Sequence, residues 1–300
     1  IQPHIFFAAP RIWTKFQLGI LGKVSQKKLD ILLKIPISSG LIKNKLKKGL
    51  GLNRTRSTVS GSAPLSITTI EWFRKIGIYI TNGYGMTENS AICSQVDGRD
   101  FEKLDSVGKA QYGAEIKIDA SNEEVLMRGP YLMDGYYKND KLTAETLVDG
   151  WLRTGDKGRL DDDDYLYITG RVADSFKTSK GKFIEPLILE NYFADIQELE
   201  EICITGLGLP QPIGLIQLSE IGKSILKDEL SEILDAKLAD INADLENYKK
   251  ISTLIIVKDE WTEQNKILGP TLKIKRGNVE EMYSSKYNSW ESNNSKIIWE

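Results

Sequence analysis

Apolar and polar positions change rhythm several times along this chain. Residues 5–34 alternate apolar with basic residues, place Leu29, Leu32 and Leu33 at helical spacing, and meet Pro36, so a helix stopping there is predicted. Residues 41–50 set Lys43, Lys45, Lys47 and Lys48 around Leu41, Ile42, Leu46 and Leu50, the pattern of a basic amphipathic helix. A short strand then runs into TVSGSAPLS at residues 58–66, a loop of small residues. Ser66 stands where an N-cap is wanted, and Ile70 and Phe73 share the inward face of a helix reaching residue 76. The apolar run Ile76-Gly77-Ile78-Tyr79-Ile80 reads as a buried strand ending at Asn82-Gly83. Tyr84, Thr87 and Glu88 are thereby placed on a loop at its carboxyl end.

Residues 107–170 are strand-like and punctuated by turns: Val107-Gly108-Lys109, Ala114 to Ile118, then residues 124–130. Short strands at this spacing predict a small antiparallel sheet or barrel. Four aspartates, Asp161 to Asp164, separate two strand-like runs; they read as a hairpin turn, with attraction of a cation as the alternative. After Arg171 the pattern becomes a compact mixture of strand and helix. A helix is predicted through Leu189, Tyr192 and Phe193, buried strands at 202–205 and 213–218, and a polar helix over about 224–245. Residues 265–276 form a basic loop ahead of a final helix.

The candidate chemistry collects in the glycine-containing loops. In open α/β sheets ligands bind at the carboxyl edge of the strands. Residues 81–90, TNGYGMTENS, offer there an aromatic face for a base, a hydroxyl for a phosphate oxygen and a carboxylate for the Mg²⁺ that accompanies ATP, with Gly83 and Gly85 on either side of Tyr84. A strand-to-helix turn with a capping threonine is the competing reading. Gly61 and Ser62 let main chain pass close to a planar ligand, Pro64 fixes the exit of that loop, and Ala63 and Tyr84 are placed to enclose the same base, unless the two loops are unrelated turns. The hairpin returns Arg171 towards Asp156, so a carboxylate for two vicinal hydroxyls with a guanidinium beside it is expected, a ribose site.

Composition narrows the classes. At 300 residues, 41% hydrophobic and 27% charged, the chain is long enough for one large or two smaller units and is ordinary for a globular protein. A net charge of −2 predicts no nucleic-acid partner. Two cysteines, Cys93 and Cys203, are too few for a disulfide framework and favour a cytoplasmic setting; each reads as a core residue, with a nucleophile as the alternative. His4, the only histidine, excludes a histidine-based zinc cluster. The long uncharged run at 202–219 is broken by Pro210 and Pro212 and is not a membrane helix. The basic segment 23–48 has two readings, peripheral binding at the inner, anionic face of a membrane and a solvated lysine-rich face.

With these segments in order, the chain resembles the acyl-adenylate-forming (AMP-binding) ligases, most closely their long-chain fatty acyl-CoA synthetase branch. The resemblance rests on SGSAP at 60–64, GYGMTE at 83–88, GWLRTGD at 150–156, the Gly170-Arg171 pair and LKIKR at 272–276, and it spans nearly the whole length. It implies an α/β and α+β architecture. Residues 1–170 would be the remainder of a large adenylation domain, part of an α/β layer plus a small β-barrel-like subdomain; residues 171–300 would be a smaller mobile α+β lid, with the hinge near 171–174. It further implies that Gly61, Ser62, Ala63 and Pro64 lie along the adenine and that Tyr84, between Gly83 and Gly85, stacks on it. Thr87 would bond the α-phosphate, Glu88 hold Mg²⁺, Asp156 and Arg171 take the ribose, Lys177 approach the nucleotide in one orientation of the lid, and Lys273 act as the mobile catalytic lysine. The implied substrates are ATP, coenzyme A and a medium- or long-chain fatty acid. A carrier-protein acceptor, an aryl acid and a non-catalytic nucleotide-binding relative are the alternatives, and oligomeric state is left open.

Two features depart from the family pattern. The family's phosphate loop, rich in Ser, Thr and Gly, does not precede these motifs, and the chain opens at Ile1, so it is expected to be the C-terminal part of a longer enzyme. On its own it would neither adenylate nor fold with full stability, and apolar surface would lie exposed. At the hinge, Ala173 stands where Asp or Lys is usual, with Asp174 next, so the pivot is expected one residue later or slower to interconvert.

Overall fold

The structure is a computed structural model and describes residues 2–300 apart from Pro64, Ile92, Pro270 and Thr271. The chain divides into two compact units, residues 1–169 and 170–300.

The first unit opens with β1 (Ile5–Ala8), α1 (Pro10–Leu21), α2 (Gln26–Lys34) and α3 (Pro36–Gly49). Residues 5–34 are thus a strand and two helices rather than one helix. Pro10 and Pro36 each begin a helix at the position where a missing N–H costs nothing, so Pro36 starts α3 as well as ending the segment before it. β2 (Ser57–Ser60), α4 (Ile67–Lys75), β3 (Ile80–Tyr84), β4 (Ser94–Val96) and β5 (Lys109–Ala110) complete a sheet of order β1-β2-β3-β4-β5. β1, β2 and β3 are parallel, while β3, β4 and β5 pair antiparallel. Ser66 caps α4 as expected, its Oγ accepting from Thr69 N at 3.2 Å, and Ile70 and Phe73 are fully buried. Phe73 meets Trp13 edge to face at 5.2 Å between ring centroids, joining α1 to α4 in one core that includes Ile76 and Ile80. Burying each such large apolar side chain contributes about 1.5–3 kcal/mol. Parallel sheets are ordinarily covered on both faces; here Ile5 and Phe7 on the outer side of β1 remain 71% and 60% exposed.

The strand before the glycines lies four residues later than its apolar run suggests. Ile76 caps the end of α4, and β3 starts only at Ile80, because pairing of Thr58, Val59 and Ser60 with Ile80, Thr81 and Asn82 sets the register. Tyr84 is therefore the last residue of the strand itself, not a loop residue.

The rest of the unit is β6 (Glu115–Ile118), β7 (Glu124–Arg128), α5 (Asp140–Thr146), β8 (Leu147–Val148), β9 (Trp151–Leu160) and β10 (Leu166–Arg171), the last crossing the boundary between units. Their sheet has order β10-β9-β7-β6 with β8 paired to β9, an open sheet rather than a closed barrel among the described residues. Asp161 to Asp164 form the hairpin turn between β9 and β10. Lys103 Nζ lies 2.7 Å from Asp161 and 3.0 Å from Asp163, and this hydrogen-bonded ammonium holds the Asp161 carboxyl well below the usual range. The cation of this turn is therefore a side chain; among the described residues no group of three or more His, Cys, Asp or Glu is arranged for a metal ion.

In the second unit β11 (Phe176–Lys177) and β12 (Phe183–Ile184) pair with each other, followed by α6 (Pro186–Asn191). β13 (Leu199–Thr205), β14 (Ile213–Leu218), β15 (Leu254–Ile256) and β16 (Ile297–Trp299) form one sheet in that order, antiparallel at the first pair and parallel thereafter. α7 (Glu220–Ser224), α8 (Lys227–Ala243), α9 (Arg276–Tyr283) and α10 (Tyr287–Ser292) connect them. Alternate strand residues feed two cores: Ile204, Ile216 and Leu254 pack with Leu230, Leu234 and Leu238 of α8, whereas Cys203, Leu215 and Ile255 pack with Tyr283 and Trp290. A sheet covered on both faces explains why its strands read as continuous apolar runs. Among the described residues no helix is long and apolar enough to cross a membrane.

Both cysteines are buried thiols. Burial pushes Cys93 and Cys203 up to about 12, aided at Cys93 by the nearby Asp156 carboxylate. At about pH 8 the native protein is expected to resist iodoacetamide at both positions and to react at both once denatured. Rapid native alkylation of either would show that it is not held in the core. The raised thiol values also have a stability sign: unfolded thiols ionise first, so their contribution is full below the ordinary thiol value near 9 and declines as pH rises towards about 12.

Candidate active site

β2 and β3 end side by side, and the loops beyond them supply most of the expected site. Gly61 is buried, and a Cβ placed on it would lie 3.3 Å from the carbonyl oxygen of Gly83. The SGSAP loop therefore leaves the sheet against the end of β3. Ser62 adopts a left-handed backbone, φ +72°, which a serine rarely takes without surrounding constraint. Ala63 follows, half-buried; Pro64 lies outside the described residues.

Gly85 has a steric reason. A Cβ there would fall 2.4 Å from the Ala91 carbonyl carbon, so the turn after β3 folds back onto residue 91 with no room for a side chain. That turn contains a 3-10 segment, Thr87–Asn89. Buried Asn89 anchors it: its Oδ1 accepts from Met86 N at 2.8 Å and its Nδ2 reaches Met127 Sδ at 2.6 Å. Thr87 is exposed, and its hydroxyl makes no hydrogen bond among the described residues. Glu88 is half-buried; its Oε1 accepts from the Tyr136 hydroxyl at 2.7 Å, and its carbonyl accepts from Met133 N at 2.8 Å.

Tyr84 and Asp156, 72 positions apart in sequence, meet directly: the tyrosine hydroxyl donates to Asp156 Oδ2 at 2.6 Å. Burial, with the adjacent carboxylate, drives the Tyr84 phenol well above its ordinary value, so it remains a donor throughout the neutral range. Asp156 sits where the register of β9 against β7 shifts, with Gly155 at φ +70°. Thr154 Oγ1 donates to Val125 O at 2.7 Å and accepts from Asp156 N at 3.1 Å. Glu124, 4% exposed, accepts from Gly155 N at 2.9 Å and from Arg153 Nη2 at 2.6 Å. Glu124 is a positioning residue that the sequence reading missed. β7 is buried at four successive positions, so alternation does not single this glutamate out, and its partners lie about thirty residues away.

Arg171, Lys177 and Lys273 belong to the second unit. Arg171 ends β10 and is exposed; its carbonyl accepts from Ser175 Oγ at 3.4 Å. Ala173 lies in a 3-10 turn, Val172–Asp174, whose Asp174 sits 3.4 Å from Arg276 Nε. Arg276 also grips Glu190 through both carboxylate oxygens at 2.5 and 2.6 Å. Lys177 extends its ammonium over the Phe183 ring at 4.8 Å. Lys273 is exposed on the loop closed by the Leu268–Ile274 bridge, and its carbonyl accepts from Gly269 N at 2.8 Å. The first unit thus brings together Gly61, Gly83, Tyr84 and Asp156, with the Thr87-Glu88 turn following directly in the chain.

This architecture is the mixed α/β fold of adenylation domains of AMP-binding ligases. Over 97% of this chain it superposes on the A-PCP didomain of carboxylic acid reductase from Segniliparus rugosus in complex with AMP, with TM-score 0.73 and 21% identity, covering 42% of that chain. It likewise superposes on O-succinylbenzoate coenzyme A synthetase from Bacillus subtilis in complex with AMP, with TM-score 0.66 and 20% identity over 92% of this chain and 50% of that one. In sequence, the AMP-binding enzyme family matches residues 1–137. Long-chain-fatty-acid--CoA ligase FadD15 of Mycobacterium bovis is 30% identical over 82% of this chain and 43% of its own length. The peroxisomal long chain acyl-CoA synthetase 6 of Arabidopsis thaliana is 28% identical over 95% of this chain and 48% of its own length. Residues 1–137 therefore belong to the AMP-binding enzyme family, and the chain's homologues are long-chain fatty acyl-CoA synthetases. The chain spans less than half the length of these two curated relatives.

Proposed function

We propose that this chain carries the adenosine-binding edge and the lysine-bearing lid of an ATP-dependent ligase that converts a medium- or long-chain fatty acid into its CoA thioester through an acyl-AMP. The observation that carries the reading is the Tyr84–Asp156 pair at the carboxyl end of β3, beside the Gly61 loop. The Tyr84 hydroxyl donates to Asp156 Oδ2, which ties the aromatic ring proposed to stack on adenine to the carboxylate proposed to accept from the ribose hydroxyls. Gly61, Ser62 and Ala63 supply backbone along the base, and Arg171 assists at the ribose. The Thr87 hydroxyl is exposed to donate to an α-phosphate oxygen.

The residues present fit Mg²⁺. One Glu88 oxygen accepts from Tyr136, the carboxylate keeps further acceptor capacity, and Mg²⁺ is usually held by one or two carboxylates with water and substrate phosphates. When bound it would neutralise phosphate charge. In the first half-reaction a fatty carboxylate oxygen forms a bond to the α-phosphorus as the bond to pyrophosphate breaks. Both reactants are anionic, so the Lys273 ammonium lowers the barrier by offsetting their repulsion and the charge that builds on the phosphoryl oxygens. In the second, the CoA thiol gives up its proton to solvent, its sulfur attacks the acyl carbon and AMP leaves with the electron pair of the broken C–O bond. For that step Lys273 must withdraw, and Lys177 would face the nucleotide instead.

Hydroxylamine trapping tests this reading, using protein from the complete reading frame that carries this chain, with ATP and a panel of fatty and aryl acids. A fatty hydroxamate, and a thioester when CoA replaces hydroxylamine, is expected. Aryl hydroxamates alone, or transfer only to a carrier-protein thiol, would reassign the substrate. ATP binding with no hydroxamate from any acid would mark a non-catalytic relative.

A further inference from the structure

At the amino ends of β2 and β3, the edge opposite the candidate active site, a cavity of about 250 Å³ lies between α3 and the turn that enters β3. Lys47, Arg56 and Arg99 line it with Thr58, Gly77 and Tyr79, and none of its lining residues is a carboxylate. Lys47 and Lys43, one turn apart on α3, converge on Gly77: a Cβ there would meet Lys47 Nζ at 3.1 Å and Lys43 Cδ at 3.8 Å. Among the described residues the Lys43, Lys47 and Arg56 side chains make no ion pair, and Arg99 has only the exposed Asp97 at 3.4 Å. Half-burial, with Lys43 beside it, draws the Lys47 ammonium below its ordinary value, the mark of a cation short of counter-charge. The carboxyl end of α4 accounts for part of this, because a helix terminus presents about half a negative charge. Lys43, Lys47 and Arg56, three cations with no ion pair among the described residues, exceed what that terminus balances.

We propose that this cavity binds a phosphate monoester, free or as the headgroup of a lipid. A dianion with several acceptor oxygens matches several convergent N–H donors and restores the missing charge. The exposed Lys45 and Lys48 on the same helix would face the surrounding anionic surface in the lipid case. The proposal does not depend on the ligase reading, since the site lies at the other edge of the sheet.

Calorimetric titration of protein from the complete reading frame that carries this chain with inorganic phosphate tests it, with circular dichroism confirming that each variant is folded. Saturable binding is expected, about tenfold weaker in Lys47→Met and unchanged in Lys45→Met. In parallel, the same protein is sedimented with phosphatidylcholine vesicles containing either phosphatidic acid or phosphatidylglycerol at matched surface charge. Sedimentation that needs phosphatidic acid and is weakened by Lys47→Met supports the site with a lipid headgroup as the source. Phosphate binding without vesicle selectivity supports it with the free anion as the source. Equal losses in Lys47→Met and Lys45→Met would overturn the proposal, as would the absence of both saturable phosphate binding and phosphatidic-acid-dependent sedimentation.

Discussion

Replacing Lys273 with alanine is expected to lower the rate of acyl-AMP formation by about 100- to 1000-fold, the usual loss when one preorganised charge-stabilising donor is removed from a transition state. The substitution itself is mild for the fold. Lys273 is exposed, and the feature that closes its loop is a backbone bond from Gly269 N to the Lys273 carbonyl, which alanine keeps. The effect should therefore appear in the chemical step and not in stability. It should also divide the two half-reactions: thioester formation from added acyl-AMP and CoA would continue near the parental rate, because the proposed function has Lys273 withdrawn at that stage. Single-turnover measurement of each half-reaction checks this. Loss confined to the thioester step, or a parental rate of adenylation, would remove Lys273 from the role assigned to it.

The largest effect on stability is expected at Gly108, not in the nucleotide loops. Its φ is +85°, and a Cβ there would lie 1.8 Å from the Gln95 carbonyl carbon, far inside contact distance and against main chain that has nowhere to go. The residue joins the two sheets of the first unit. Its carbonyl accepts from Leu166 N at 2.9 Å, and its own N–H donates to Ser106 Oγ at 3.1 Å. Gly108→Ala combines strained backbone with overpacking, and a loss of about 4 kcal/mol or more is expected, near the limit of what single substitutions cost. Urea unfolding monitored by tryptophan fluorescence measures it; a loss below about 1 kcal/mol would mean that the two sheets do not pass as closely at this point.

Where local chemistry decides, the structure was readable in advance. Ser66 as a cap, Ile70 and Phe73 as the buried face of α4, the aspartate turn between β9 and β10, and the buried strands β13 and β14 all follow from short-range patterns. Where pairing partners decide, it was not. The run 76–80 is apolar enough to be a strand, yet Ile76 is needed under α4, and contact with β2 draws β3 onto the glycines. Likewise β1 reads as the start of a helix until its register with Ser57–Ser60 is known. The motifs around Tyr84 and Asp156 announced themselves by residue type. Glu124, which holds the Gly155 N–H beside Asp156, and Tyr136, which bonds Glu88, carry no such mark because their partners are distant in sequence.

The account stands on Asp156 as the ribose acceptor of an adenosine site shared with Tyr84. Its most direct test is the affinity of AMP and of 2′,3′-dideoxy-AMP for the parent protein and for Asp156→Asn, in protein from the complete reading frame. The parent is expected to prefer AMP by about tenfold or more, and the variant to lose that preference while still binding the dideoxy nucleotide. A parent that does not distinguish the two nucleotides, or a variant that distinguishes them as well as the parent does, would contradict it.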